Sequence, residues 1–217
     1  VDGDGLGDVL VGAYLSNQAF LYLSRCLPPG GTAIFSDDFE SGTLGGLVHT
    51  RPGWTCPAPS SCISTTSIAQ AHGGSRSMFQ PGVESGGCGL ELAALASDFR
   101  VEFWLYDPGG GAAGDVVLGL DELPVASRRR HVGYQSACST TQYYAMSGST
   151  CLAALGSRSV GWHRVSAEAD YAAGTMRFCV DSTCATDPAL DIVVARLQLN
   201  NDDLDTYIDD LTIIALP

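Results

Sequence analysis

Short segments in which apolar and polar residues alternate recur along the chain from residue 33 onwards. In the clearest one, residues 100–106, Val101, Phe103 and Leu105 fall on one face of an extended backbone. This period of two predicts half-buried β-strands. No segment shows a convincing helical period. Roughly ten to twelve such strands separated by turns predict an all-β fold built as a two-sheet antiparallel sandwich.

Two acidic segments conflict with this pattern. Residues 37–42 place carboxylates beside Phe39, which we expect to be buried, and residues 207–211 repeat the conflict. A carboxylate next to a core residue is costly unless a positive charge or hydrogen bonds meet it. We predict that the two segments lie side by side and share a cation, with Asp209 inward because it shares strand parity with Leu211. The alternative is that both are strand ends whose acids are solvated or satisfied by backbone N–H groups.

The first 25 residues form a different kind of segment. A glycine-rich loop is followed by two short apolar strands, within residues 9–13 and 19–23. Carboxylates that alternate with glycines in such a loop are suited to wrapping Ca²⁺. The candidate ligands are Asp2, Asp4 and Asp8.

This segment resembles the FG-GAP repeat of integrin-α-type β-propellers, whose calcium loop leads directly into a Val-Gly-Ala strand. The chain departs from the repeat at Tyr14, where the family has proline, and the first acidic ligand of the repeat would precede Val1. The resemblance therefore implies a truncated repeat over residues 1–25 and a longer precursor. Because an isolated strand pair is not stable in water, we expect it to dock on the sandwich or to add to the sheet edge of a neighbouring molecule.

Residues 26–32 are rich in proline and glycine and are predicted to be a linker. Residues 33–217 resemble the concanavalin A-like jelly rolls, with the MAM and laminin-G-like branches most similar. The resemblance rests on six fragments in family order, at residues 37–42, 53–54, 72–77, 100–104, 161–165 and 207–211. It implies a jelly-roll sandwich, with Trp54 and Trp162 in its core. The fold itself says little about function, because many unrelated activities share it.

Jelly rolls of this kind often hold a structural Ca²⁺ that joins the opening acidic strand to the closing one. The resemblance implies calcium as a cofactor here. The implied ligands are Asp38, Glu40 and Asp209, with Asp37 and Asp210 as substitutes.

The chain has eight cysteines, an even number without zinc-type spacing, which indicates disulfides formed in an oxidising compartment. Connectivity cannot be deduced from sequence alone, but short loops favour three pairs. These are Cys56–Cys62, Cys138–Cys151 and Cys179–Cys184, and they leave Cys26–Cys88 as the fourth. We therefore expect a secreted protein, extracellular or on a cell surface.

The formal net charge of −13 argues against binding to nucleic acid or to anionic membrane surfaces. No apolar run reaches the roughly 18 residues that a membrane span needs. The one basic run, residues 128–131, contains three arginines and His131. It is predicted either to dock on an acidic patch of another copy or to lie exposed in a loop or edge strand.

Catalysis is not expected. The chain contains neither the Glu-x-Asp-x-x-Glu string of the glucanases of this fold nor a Gly-x-Ser-x-Gly elbow. Glycan binding would need exposed aromatic rings, although aromatic residues in sandwiches more often belong to the core. The candidate platforms are Trp104, Tyr106 and Tyr143, with Tyr134 and Tyr144 as further possibilities.

The sequence thus favours a non-catalytic module for extracellular adhesion or assembly, which self-associates into a fibre or surface layer through its N-terminal strands. The alternative is a carbohydrate-binding module released from a larger glycan-processing protein. The expected partners are further copies of the chain, in an oligomer or polymer, or a glycan.

Overall fold

The structure is a computed structural model, and it describes residues 9–13, 18–22, 31–56, 62–82, 88–109, 115–122, 129–202 and 204–217. Over these residues the predicted all-β fold is confirmed, because two antiparallel sheets pack as a sandwich. One 3₁₀ turn, Val48–Thr50, is the only helical element in the described ranges. No helix in them is long and apolar enough to cross a membrane.

The strands are numbered here in chain order. They are β1 (Val9–Ala13), β2 (Gln18–Tyr22), β3 (Thr32–Asp37), β4 (Trp54–Thr55), β5 (Thr65–Ser67), β6 (Ser77–Gln80), β7 (Cys88–Leu95), β8 (Phe99–Asp107), β9 (Asp115–Asp121), β10 (Arg129–Gln135), β11 (Gln142–Ser147), β12 (Thr150–Ser157), β13 (Gly161–Asp170), β14 (Thr175–Val180), β15 (Thr183–Asp187), β16 (Val194–Asp202) and β17 (Thr206–Ala215).

The strands form three sheets. A seven-stranded sheet has the order β12-β11-β10-β9-β16-β7-β4, and an eight-stranded sheet has the order β15-β14-β13-β8-β17-β6-β5 with β3 added beside β17. Strands β1 and β2 pair with each other as a separate two-stranded sheet, so the predicted N-terminal strand pair is present. The candidate calcium ligands Asp2, Asp4 and Asp8 lie outside the described residues, and the FG-GAP resemblance stays a prediction.

The core lies between the two large sheets. In β8 the predicted alternation is confirmed, since Val101, Phe103 and Leu105 are buried while the residues between them are partly exposed. In the facing sheet, Leu118 and Leu120 take alternate positions of β9 and are also buried. Burial of such side chains is the main favourable term in folding, at about 1.5–3 kcal/mol for each large apolar side chain.

Three of the predicted disulfides are confirmed: Cys56–Cys62, Cys138–Cys151 and Cys179–Cys184. Cys88 is fully buried in β7. Its predicted partner, Cys26, lies outside the described residues, so the fourth pair stays a prediction. Three disulfides fit a protein that folds in an oxidising compartment.

The expectation that the basic run lies in an exposed loop or edge strand was wrong for Arg130 and His131, whereas docking of the run on another copy stays a prediction. Arg130 and His131 belong to β10, which lies between β9 and β11 and is neither a loop nor an edge strand. Arg130 is buried and crosses the sandwich to Asp187 of the other sheet, and it also binds Asp191. The run was read as exposed because charged side chains usually are, but paired arginines can be buried.

Candidate functional site

Four aromatic side chains form a row across the outer face of the eight-stranded sheet. The ladder pairs Phe79 with Tyr207, Tyr207 with Tyr106, and Tyr106 with Trp162, so one residue comes from each of β6, β17, β8 and β13. Neighbouring ring centroids lie 5.1, 5.9 and 5.4 Å apart. All four residues are partly exposed. We call this set the aromatic row.

The next level of the same face adds a ring and charged groups. Trp104 lies two residues before Tyr106 on the same face of β8. The His72 ring stacks on the Trp104 ring, with ring centroids 3.7 Å apart. Beside it, Arg164 donates to Glu102 at 2.6 Å. Neighbouring rings of the row are tilted by 36°, 80° and 68° to one another. An apolar row bordered by hydrogen-bonding groups is the usual composition of a site that binds a ligand with both apolar faces and polar edges.

Two expectations about aromatic residues need correction. Trp162, expected in the core, belongs to the aromatic row, because Val165 and Ala167 of β13 occupy the inward parity. Tyr143, expected as a platform, is 1% exposed and donates its hydroxyl to Asp107 at 2.7 Å. Trp104 and Tyr106 both face outward, but the stacked His72 ring covers one face of Trp104. Trp54 is buried, as the resemblance implies.

A buried ion pair supports one end of the row. Asp107 directly follows Tyr106 and accepts hydrogen bonds from Arg158 Nε and Nη2, both at 2.8 Å, from the Tyr143 hydroxyl and from the Gly109 N–H at 2.7 Å. The guanidinium of Arg158 also lies 3.5 Å from the centre of the Tyr134 ring. The pair therefore ties the end of β8 to the turn that leads into Trp162.

The two acidic segments do lie side by side, since β3 pairs with β17 and Asp37 lies opposite Leu211. Phe39 is fully buried as predicted. Asp37 accepts hydrogen bonds from the Arg51 guanidinium and from the Trp54 indole N–H at 2.8 Å. Arg51, which sequence reasoning did not single out, therefore supplies the positive charge that this part of the segment needs.

The other carboxylates of this acidic clasp, residues 37–40 with 209–210, are met by N–H groups. Glu40 accepts from the backbone N–H groups of Ser75 and Arg76, both at 2.7 Å. Burial alone would raise the pKa of Glu40, but these bonds lower it below its ordinary value. Asp38 is exposed and accepts from the N–H of Glu40 at 3.1 Å.

Asp209 does not point inward as its parity predicted. A register shift between Asp209 and Thr212, with Asp210 at a φ of 54°, reverses the parity and places Asp209 on the outer face opposite Trp104. Such bulges commonly re-aim one side chain. Residue 209 is nevertheless fully buried, because the N–H groups of His72 and Gly73 cover it at 2.9 and 3.1 Å. Burial and the neighbouring Asp210 charge raise its pKa to about 6.

These hydrogen bonds occupy oxygens that a shared Ca²⁺ would need, which favours the alternative in which N–H groups satisfy the acids. No group of three His, Cys, Asp or Glu side chains suited to a metal ion occurs within the described ranges. Calcium at Asp38, Glu40, Asp209 and Asp210 therefore stays a prediction with a direct test.

A cleft of about 910 Å³ opens beside the clasp. Its lining combines Asp37, Asp38 and Asp210 with hydroxyl groups, and Phe35 is its one aromatic ring. A site of that composition offers hydrogen bonds but little ring surface, so we place the candidate platform on the aromatic row.

The side chains of Ser159, His163 and Asp181 are arranged like the Ser-His-Asp triad of a hydrolase. His163 Nδ1 lies 2.8 Å from Asp181, and its Nε2 lies 3.2 Å from the Ser159 hydroxyl. The same Nε2 lies closer, at 2.8 Å, to the backbone carbonyl of Ser159. A nitrogen that donates to a carbonyl cannot also take a proton from the hydroxyl, so we assign no catalytic role to this arrangement.

No protein-family model and no curated protein matches the chain. Solved structures share its fold. The conserved carbohydrate esterase from Shiga toxin-encoding bacteriophage phi24B is 12% identical, with 87% of this chain and 100% of that chain covered and a TM-score of 0.56. The CBM2 module of Lactobacillus casei BL23 phage J-1 evolved Dit is 10% identical, with 86% and 97% covered and a TM-score of 0.54.

A sialidase is 14% identical, with 74% of this chain covered and a TM-score of 0.52. The chain spans only 17% of the length of that sialidase. At such identities the likeness establishes the β-sandwich fold alone.

Proposed function

We propose that the chain is a non-catalytic, extracellular carbohydrate-binding module that holds glycans on its aromatic row. The observation that carries the proposal is the row itself, four partly exposed aromatic side chains in one register across four strands. Solvated aromatic surface in a contiguous patch marks an interaction site. The structural neighbours give support, because they include a carbohydrate-binding module and proteins that act on glycans by name.

The chemistry of the face matches a sugar chain better than a protein partner. Pyranose rings present apolar C–H faces, which pack against aromatic rings, and hydroxyl edges, which need donors and acceptors. Arg164 and Glu102 border the row and offer both kinds of group. Because the row crosses the strands, a chain of several sugar rings would lie perpendicular to the strand direction.

The test is binding to insoluble polysaccharides and to a glycan array. We expect wild type to bind at least one glycan. Trp162→Ala and Tyr106→Ala should each weaken binding at least about tenfold, roughly 1.4 kcal/mol. Phe35→Ala is the matched control, since Phe35 is a partly exposed ring in edge contact with Trp54 but outside the row. The proposal fails if no glycan binds or if all variants bind alike.

Assembly through the N-terminal strands, the first expectation from the sequence, stays a prediction. The observation relevant to it is that β1 and β2 pair with each other in a two-stranded sheet, which is marginally stable alone. Deleting residues 1–25 and comparing light scattering of the two proteins tests it. Equal particle size before and after deletion would remove this role.

A further inference from the structure

The spacing of the aromatic row restricts how a glycan can lie on it. Its four rings come from four adjacent strands, and neighbouring centroids lie 5.1, 5.9 and 5.4 Å apart. These steps follow from the distance between paired strands, which is about 4.7–4.9 Å. A pyranose ring is similar in width to an aromatic ring. A glycan laid across the strands would therefore place successive sugars over successive rings.

The four rings do not share a plane. The ring of Phe79 is inclined by 36° to that of Tyr207. The ring of Tyr106 is inclined by 80° to Tyr207 and by 68° to Trp162. The sheet beneath them adds a twist, since adjacent strands are rotated by about 20–25° relative to each other. The row is therefore a twisted platform.

A twisted platform favours one physical form of a polysaccharide. In a crystalline polysaccharide, packing between neighbouring chains holds the sugar rings in a regular, flat array. Such an array can meet one or two rings of the row but not all four at once. A single chain can turn about its glycosidic bonds and follow the row. Because its sugars are linked, each further contact on the same chain raises the apparent affinity.

The charged groups beside the row do not favour an acidic ligand. Glu102 Oε2 accepts hydrogen bonds from Arg164 at 2.6 Å and from Arg100 at 2.7 Å. Asp181, whose side chain is 51% exposed, accepts from the Arg164 backbone N–H at 2.9 Å. Two carboxylates thus accompany two guanidinium groups, so no local excess of positive charge attracts an anion. The formal net charge of −13 on the whole chain repels a polyanion.

On the basis of the proposed function, we propose that the aromatic row binds one single, non-acidic glycan chain lengthwise, with one sugar over each ring. Crystalline surfaces and acidic polysaccharides are poor ligands. Trp162 has the largest ring of the row and holds the sugar that binds most tightly. Phe79 lies at the other end of the row and contacts only the fourth sugar.

The first part of the test compares physical forms of the same polysaccharide. The full chain is mixed with microcrystalline and acid-swollen cellulose, with crystalline and colloidal chitin, with soluble xylan and glucomannan, and with the acidic polygalacturonate. We expect binding to at least one swollen, colloidal or soluble non-acidic polysaccharide. Binding to the crystalline form of the same sugar, and to polygalacturonate, should be weaker by about tenfold or more.

The second part measures how affinity depends on chain length. Isothermal titration calorimetry is performed with oligosaccharides of the polysaccharide that binds best, from the disaccharide to the hexasaccharide. Affinity should rise about threefold or more for each added sugar up to the tetrasaccharide and then level off. Phe79→Ala should remove the gain from the fourth sugar and leave the disaccharide affinity unchanged. Trp162→Ala should weaken every length, and Phe35→Ala, outside the row, should weaken none.

Urea midpoints show whether each variant is folded, and the two proposals fail in different ways. If no glycan binds in any form, both are wrong. The single-chain proposal alone is overturned if a crystalline form or polygalacturonate binds best, or if affinity does not rise with length. It is also overturned if Phe79→Ala weakens the disaccharide as much as the tetrasaccharide. In these cases the aromatic row remains a glycan site.

Discussion

Replacing Arg158 with methionine is expected to destabilise the sandwich through the carboxylate that it leaves behind. The side chains of Arg158 and Asp107 are 5% and 4% exposed. Without the guanidinium, buried Asp107 keeps only the bonds from Tyr143 and Gly109. Removing one partner of a buried pair costs about 3–5 kcal/mol, and the two retained bonds favour the lower end. A loss of about 3 kcal/mol lowers Tm by roughly 6–12 °C in a chain of this size.

The pH dependence of this loss identifies its cause. In wild type, burial alone would raise the pKa of Asp107, but the bonds from Arg158, Tyr143 and Gly109 and the Arg158 charge lower it below its ordinary value. The unfolded chain therefore takes up the proton first as the pH falls. In the variant, burial dominates and raises the pKa, so the folded protein binds the proton first. The difference in unfolding free energy should therefore shrink between about pH 7 and 4.5.

Urea unfolding followed by tryptophan fluorescence at the two pH values measures both effects. Arg164→Met is the matched control, because Arg164 pairs with Glu102 at an exposed position and its loss should cost less than about 1 kcal/mol. The reasoning is refuted if Arg158→Met costs no more than the control, or if its cost is the same at both pH values.

The remaining predictions concern a histidine, the clasp and the disulfides. Because the pKa of His131 is lowered to about 4 by burial and by Arg129, the unfolded chain protonates first. The His131 contribution to the free energy of unfolding should therefore fall by about 2 kcal/mol from pH 7.5 to 5. It is measured as the difference in pH dependence between wild type and His131→Gln, because Asp209, whose pKa is raised, acts in the opposite direction in both proteins. If calcium binds at Asp209, EDTA lowers the Tm of wild type but not of Asp209→Ala; equal effects place the ion elsewhere. Replacing Cys138 and Cys151 with serine should cost about 3 kcal/mol, against about 2 for the shorter Cys179–Cys184 loop; equal urea midpoints would contradict this.

Parity within single strands was enough to predict part of the candidate site. Alternation in residues 100–106 placed Trp104 and Tyr106 outward. The same reasoning applied to β13 would have placed Trp162 outward as well, since Val165 and Ala167 take the inward positions. The resemblance to jelly rolls placed it in the core instead. Local alternation was here the better guide, because it follows directly from strand geometry.

Parity failed where a strand is irregular. The register shift between Asp209 and Thr212 reverses the side of the sheet to which Asp209 points. Nothing in the segment Tyr-Ile-Asp-Asp-Leu predicts this shift. The buried Arg130 was missed for a related reason. Its carboxylate partner Asp187 lies 57 residues away on the facing sheet, and charge alone suggested exposure.

Sequence patterns were enough to predict the all-β class, the inward faces of the regular strands and the burial of Phe39, and short loops favoured the three disulfide pairs that are present. Each of these depends on residues close together in the chain. The aromatic row becomes visible only in the assembled sheet, because ladder register brings together residues from strands far apart in sequence.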